Sequence, residues 1–353
     1  MEKLSGYAFI AAILSTGLAT IFYFMYAVSG LRAARMQTAG GPASAGAMGF
    51  ISGPRTAAIG RYATMLGWLA VFALLACMVF RTIATGHGPF SNMYEFSVAF
   101  AFGILTIYMW FEHKYHQRLL GLVVMPVALA MLLYAWSIQG PIEPLVPALQ
   151  NNLLLTVHVA TAIVAYGSFA IAFAAALMFL LQGRYAIVAG GMLICAVPFA
   201  IVGGLVGGLI VALGAGLLGA VVGAAGGYIA RSMGVGASDE EDSGGRWGLP
   251  KPQVLDEIGY RAIVVGFPFL TLTILLGAVW AETAWGRYWS WDPKETASLV
   301  TWLIYGAFLH ARVMRGWRGD RAAWLLVIGF VATLFTYFGN YVFGGLHSYG
   351  GLG

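Results

Sequence analysis

The sequence predicts an all-α, polytopic membrane bundle, and three observations predict it. Of 353 residues, 60% are hydrophobic and only 9% charged, so the chain lacks the polar surface to cover a soluble core. The apolar residues gather into runs near the roughly 20 residues that a helix needs to cross a bilayer. Basic residues concentrate in alternate gaps between those runs, the bias that fixes membrane topology.

The first run, 4–30, has the length of a signal peptide. A continuous array of apolar runs follows it and no small-residue cleavage site is clear, so it is expected to stay as a span. Runs 62–83, 94–111, 119–137 and 153–181 follow, and 262–281, 296–311 and 322–343 complete eight core spans. Between them, 186–230 is almost wholly Gly, Ala, Val, Ile and Leu, and its halves, split near Gly207-Gly208, are each long enough for one thin span. Arg184 and Arg231 both fall on the inner side, so the segment adds zero spans or two. Two are expected, ten in total, because small residues let helices approach closely in lipid. Its GxxxG-like spacings do not make a nucleotide fingerprint, since no alternating strand precedes them and no acceptor carboxylate follows.

One membrane-embedded domain over 1–350 results, with a cytoplasmic loop at 31–61, the Gly/Ala-rich insertion at 186–230, a cytoplasmic linker at 231–261 and an external loop at 282–295. The stretch "ASDEEDSGG" (237–245) reads as a solvated part of that linker. With Met1 outside, the cytoplasmic gaps hold 15 of the 19 Lys and Arg residues, and the external loop and C-terminus face outward. Cys77 and Cys195 lie in apolar runs, where neither serves an extracytoplasmic disulfide or a thiol redox pair. Lipid is an expected partner and nucleic acid is not.

The external loop breaks this pattern. "WAETAWGRYWSWDPKE" places Trp280, Trp285, Trp289 and Trp291 within twelve residues, with Arg287 and Tyr288 among them. "DPKE" reads as a helix start: Asp292 caps, Pro293 suits the first helical position, and Glu295 stands three residues after the cap. The aromatics fit either an interfacial belt or a platform for something flat and apolar, and composition alone leaves both open. The histidines favour the platform. His158, near the outer end of its span, and His347, after the last span, share the outer face with the loop. A histidine in an apolar helix suggests function, and imidazole is a common axial ligand to heme iron. His310 lies 17 residues after Pro293, about 25 Å along a helix at roughly 1.5 Å per residue. It is either an inner-side or mid-membrane ligand or a residue that snorkels to the inner headgroups. His113 and His116, in "FEHKYHQR", read as cytoplasmic loop residues, His87 is external without a matching ligand, and Glu95 is a buried carboxylate that could answer an arginine.

The segment 280–305 resembles the tryptophan-rich WWD signature of the CcsA/ResC-type heme-handling proteins of cytochrome c maturation. "GPFSNMYEF" (88–96), "LLLTVHVATAIVAYGSFAIAF" (153–173), "LDEIGYRAIVVGFPFLTL" (255–272), "LHARV" (309–313) and "YFGNYVFGGLHSYG" (337–350) resemble the same branch. The resemblance implies that heme b, as cargo and bound ligand, reaches an external site where His158 and His347 are axial ligands, with His310 at a transmembrane site. Trp285, Trp289, Trp291 and Asp292 match the signature itself. It also implies a bacterial cytoplasmic (inner) membrane, an apocytochrome c presenting a Cys-x-x-Cys-His segment, and a separate ResB/Ccs1-type partner completing a holocytochrome c synthase. The Gly/Ala-rich segment and "PASAGAMGFISGP" (42–54) depart from that pattern. No protein nucleophile is expected, since the attacking sulfurs belong to the substrate. Arg287 and Lys294 could meet heme propionates. Two other classes remain: a membrane b-type electron-transfer subunit, which would pair its ligands at matching depths across its spans, and a non-heme transporter or assembly scaffold.

Overall fold

The computed structural model describes residues 1–38, 54–140, 149, 152–182, 249–343 and 345–347. These residues form α1 (Glu2–Thr38), α2 (Pro54–Thr85), α3 (Met93–Tyr115), α4 (Gly121–Ser137), α5 (Asn152–Gln182), α6 (Pro252–Trp285), α7 (Pro293–Arg315) and α8 (Asp320–Phe343), with one 3-10 turn at Arg118–Leu120. All eight helices are long and apolar enough to cross a membrane. The expected total of ten spans is therefore corrected to eight among the described residues. The two additional spans were drawn on 186–230, which lies outside the described residues, as do Cys195 and the acidic stretch 237–245. That expectation rested on apolar, small-residue composition and on the parity of Arg184 and Arg231, and each glycine costs a helix interior about 1 kcal/mol relative to alanine.

Helix ends follow local chemistry. Asn92 caps α3 by accepting from the Glu95 amide at 3.0 Å, and His116 closes it in the left-handed conformation at φ 54. His113 therefore belongs to the last turn of α3 rather than to a loop. Proline opens both α2 and α6, whose starts at Pro54 and Pro252 lie well before the apolar runs at 62 and 262. Asp292 and Glu295 form the capping box expected at the start of α7.

Helices α3 and α5 touch backbone to backbone. A Cβ added to Gly167 would stand 2.8 Å from the Gly103 carbonyl oxygen, the close approach that small residues allow where lipid supplies no hydrophobic drive between helices. Buried hydroxyls add interhelical bonds: Thr273 donates to Thr161 at 2.9 Å, Thr301 meets Thr336 at 3.0 Å, and Ser97 meets Tyr337 at 2.7 Å. These contacts register α5 with α6, α7 with α8, and α3 with α8 around the site. At the opposite end, Arg312 pairs with Asp256 at 2.6 Å, tying α7 to α6. There too the buried Glu112 accepts from the hydroxyls of Tyr23, Tyr108 and Thr64. Glu95 does answer an arginine: Arg81 Nε donates to it at 2.8 Å, and both side chains are buried. Cys77 is buried and free, beside Ser5.

Candidate functional site

The tryptophan-rich loop is built by one carboxylate. Glu295 Oε2 accepts from the Ser290 amide at 2.8 Å, the Ser290 hydroxyl at 3.1 Å and the Asp292 amide at 3.2 Å. The loop is thereby folded onto the first turn of α7. Trp291 pays for the tight path with φ 59, a region that bulky side chains rarely adopt, and its ring is exposed against an edge-on Trp289.

Below the loop lies a narrow cavity with an open mouth. His158 from α5 and His347 from the segment after α8 both line it, with Trp280, Trp289, Tyr288 and Lys294. Aromatic and aliphatic side chains of α3 and α5, including Phe96, Phe100, Leu155 and Val159, form its apolar wall. The indole nitrogen of Trp289 is buried without a hydrogen-bond partner among the described residues.

Both histidines are held by Nδ1. In His158 this atom lies 2.9 Å from the Thr273 carbonyl oxygen, an acceptor, so Nδ1 carries the proton. In His347 it lies 2.9 Å from Asp292 Oδ1, which selects the same tautomer in the neutral ring. In each imidazole, coordination of a metal would fall to Nε2, and a second-shell acceptor on Nδ1 both orients such a ligand and raises its basicity. Burial lowers His347 below the ordinary 6.5, against the Asp292 hydrogen bond. Burial also works to raise Asp292, but the His347 and Lys294 hydrogen bonds outweigh it and hold the carboxyl at about 2. Near neutral pH the pair is thus a neutral imidazole donating to a carboxylate. Asp292 favours the folded state above its ordinary 3.8, an effect lost as pH falls toward 2.

The remaining residues singled out from sequence take other places. Trp285 stands behind the cavity, edge-on to His347 at 4.8 Å and to Trp280 at 4.8 Å. Asp292 stands behind His347, while Trp291 and Arg287 are exposed. His310 is on an exposed face of α7, apart from this cavity. Sequence reasoning missed Thr273, Gly277, Phe96 and Tyr337. Gly277 had a faint signal, a glycine in the middle of an apolar helix. Its reason is spatial, since a Cβ there would stand 2.8 Å from His158 Cε1.

Two imidazoles reaching one apolar, aromatic-lined slot from separate segments suit a flat cofactor whose central metal takes an axial ligand on each face. The sequence matches the family described as "Cytochrome C assembly protein" over residues 90–347. It is similar to proteins named "Cytochrome c biogenesis protein CcsA": 36% identical to that of Gloeobacter violaceus over 318 residues, covering 83% of this chain and 87% of the relative. Identity to that of Microcystis aeruginosa is 37% over 306 residues, 85% of this chain and 90% of the relative. For Porphyra purpurea it is 35% over 317 residues, again 85% and 90%. The histidine-lined cavity under a tryptophan-rich loop thus sits within the matched region, and the chain belongs to the CcsA-type cytochrome c assembly protein family.

Proposed function

We propose that the protein carries heme to the outer face of the membrane, holds it there between His158 and His347, and presents it to apocytochrome c for covalent attachment. The observation that carries this reading is the shared geometry of the two histidines, which line one cavity and are each anchored through Nδ1. The chain's contribution is positioning, which can supply several kcal/mol of a barrier when reacting groups are held in line. Each cysteine S–H of a Cys-x-x-Cys-His segment adds across a vinyl group, sulfur to one carbon and hydrogen to the other, so no nucleophile of this chain is needed. Trp289 and Trp280 support the macrocycle, while Trp285 and Asp292 hold His347 from behind.

Family membership supports a synthase completed by a separate ResB/Ccs1-type chain. His310, on the exposed face of α7, then serves a second, transmembrane heme position that needs a partner residue. Family membership supports a cytoplasmic membrane location, and the Lys/Arg pattern supports an orientation with the loop outside. A reporter fused after Gly353 is expected to behave as extracytoplasmic and one within 237–245 as cytoplasmic. The reverse result at either point would overturn the orientation.

Heme binding should also report the ionisation of His347. Because burial lowers this imidazole below 6.5, affinity of the free protein is expected to be flat above pH 6.5 and to fall in acid, with a midpoint below 6.5. Protons then compete with iron for Nε2. Spectroscopic titration across pH measures this, and a midpoint above 6.5 would exclude His347 as the titrating ligand.

A further inference from the structure

Lys294 has no place in the two-histidine account, yet it lines the same cavity. Its ammonium lies 5.8 Å from the centre of the Phe96 ring, and no carboxylate pairs with it among the described residues. Neither of the two acidic side chains nearest in sequence forms a contact ion pair with it among the described residues, although the charge of Asp292, whose Oδ2 has no hydrogen-bond partner there, acts on it through space. Asp292 accepts from His347 and from the Lys294 backbone amide, and Glu295 holds the amides of the loop. Arg287, the other basic residue of this loop, is exposed and does not line the cavity. An ammonium on a half-buried side chain over the Phe96 ring, in a cavity with apolar walls, is better stabilised when a counter-charge meets it.

We infer that Lys294 takes an ionised carboxylate on the edge of the bound macrocycle, making the cavity selective for tetrapyrroles that carry free propionates. The inference rests on the heme reading above and deepens it by naming the chemical class that the site accepts. Iron ligation alone does not distinguish heme from its neutral esters, because the esters leave the metal and ring unchanged. A charge-assisted contact to one side-chain carboxylate does, since esterification removes the charge that would pair with the ammonium.

Equilibrium binding of ferric heme and of its dimethyl ester to the detergent-purified full chain tests this, read by the absorption change on histidine ligation. Wild-type protein should bind free-acid heme roughly tenfold or more tighter than the ester. Lys294→Gln should weaken heme binding by a similar factor and leave ester binding unchanged, while Lys294→Arg should keep the preference for heme. Equal loss of both ligands in the Gln variant, or no loss of either, overturns the inference. If that variant does not accumulate, absence of any wild-type preference for heme over ester overturns it equally. Failure of wild-type protein to bind either compound through histidine would instead overturn the heme reading itself.

Discussion

Replacing His158 or His347 by alanine is expected to lower heme affinity by roughly a hundredfold or more and to leave cytochrome c maturation near background. Loss of an outer-shell partner alone typically costs about ten- to a hundredfold at a metal site, and loss of the ligand should cost at least as much. The iron would keep one axial bond and the macrocycle could tilt away from the position that the substrate thiols must reach. Added imidazole should refill the vacated coordination position and restore part of both properties. It should not rescue Trp289→Ala, which removes a supporting surface rather than a ligand. His113, exposed in the last turn of α3, provides the control, and His113→Ala should mature cytochrome normally. Bound-heme spectra, stained cytochrome c and membrane level of each variant are the measurements. If both ligand variants accumulate and keep the wild-type spectrum and yield, the clamp is wrong.

Gly277→Ala should also be damaging, without touching a ligand. The added methyl would stand 2.8 Å from His158 Cε1 and 3.3 Å from Nδ1, so the imidazole must move. Movement breaks its bond to the Thr273 carbonyl and turns Nε2 away from the cavity axis. A loss of about tenfold or more in heme affinity is expected, within the range for disturbed outer-shell partners. Helix propensity predicts the opposite, since glycine to alanine in a helix interior stabilises by roughly 0.5–1 kcal/mol where space permits. Gly306→Ala in α7 isolates that contribution, because its Cβ would meet only Phe267 at 3.6 Å. That variant should bind heme normally. Equal behaviour of the two would remove Gly277 from the account of the site.

The fold was legible where its signals are local. Eight apolar runs mark the eight helices of the described residues, and Asp292, Pro293 and Glu295 announce the start of α7 within four residues. Helix starts were read late at Pro54 and Pro252, because proline and arginine lower hydropathy without breaking a first turn. Residues 186–230, expected to add two spans, lie outside the described residues, and apolar composition measures affinity for lipid, not the number of helices. The candidate site was legible as residue types, with His158, His347 and Trp289 distinctive against their surroundings and brought to one cavity. What holds them was not, because the Thr273 carbonyl, Gly277 and Tyr337 act through space from segments far along the chain. Trp280 and Trp291 illustrate the limit, as both belong to one tryptophan-rich stretch while the first is buried on the cavity and the second is exposed.

Asp292 Oδ1 accepts both the backbone amide that opens α7 and the proton on His347. A single oxygen therefore belongs to two equilibria, the fraying of a helix end and the swing of an imidazole. On the proposed reading, a ligand that fixed the imidazole would also clasp the first turn of α7, and unwinding that turn would weaken binding of the ligand by the same free energy. Since α7 runs from this oxygen to Arg312 and its ion pair at the far end, one helix has its first turn tied to His347 and its last turn tied to α6.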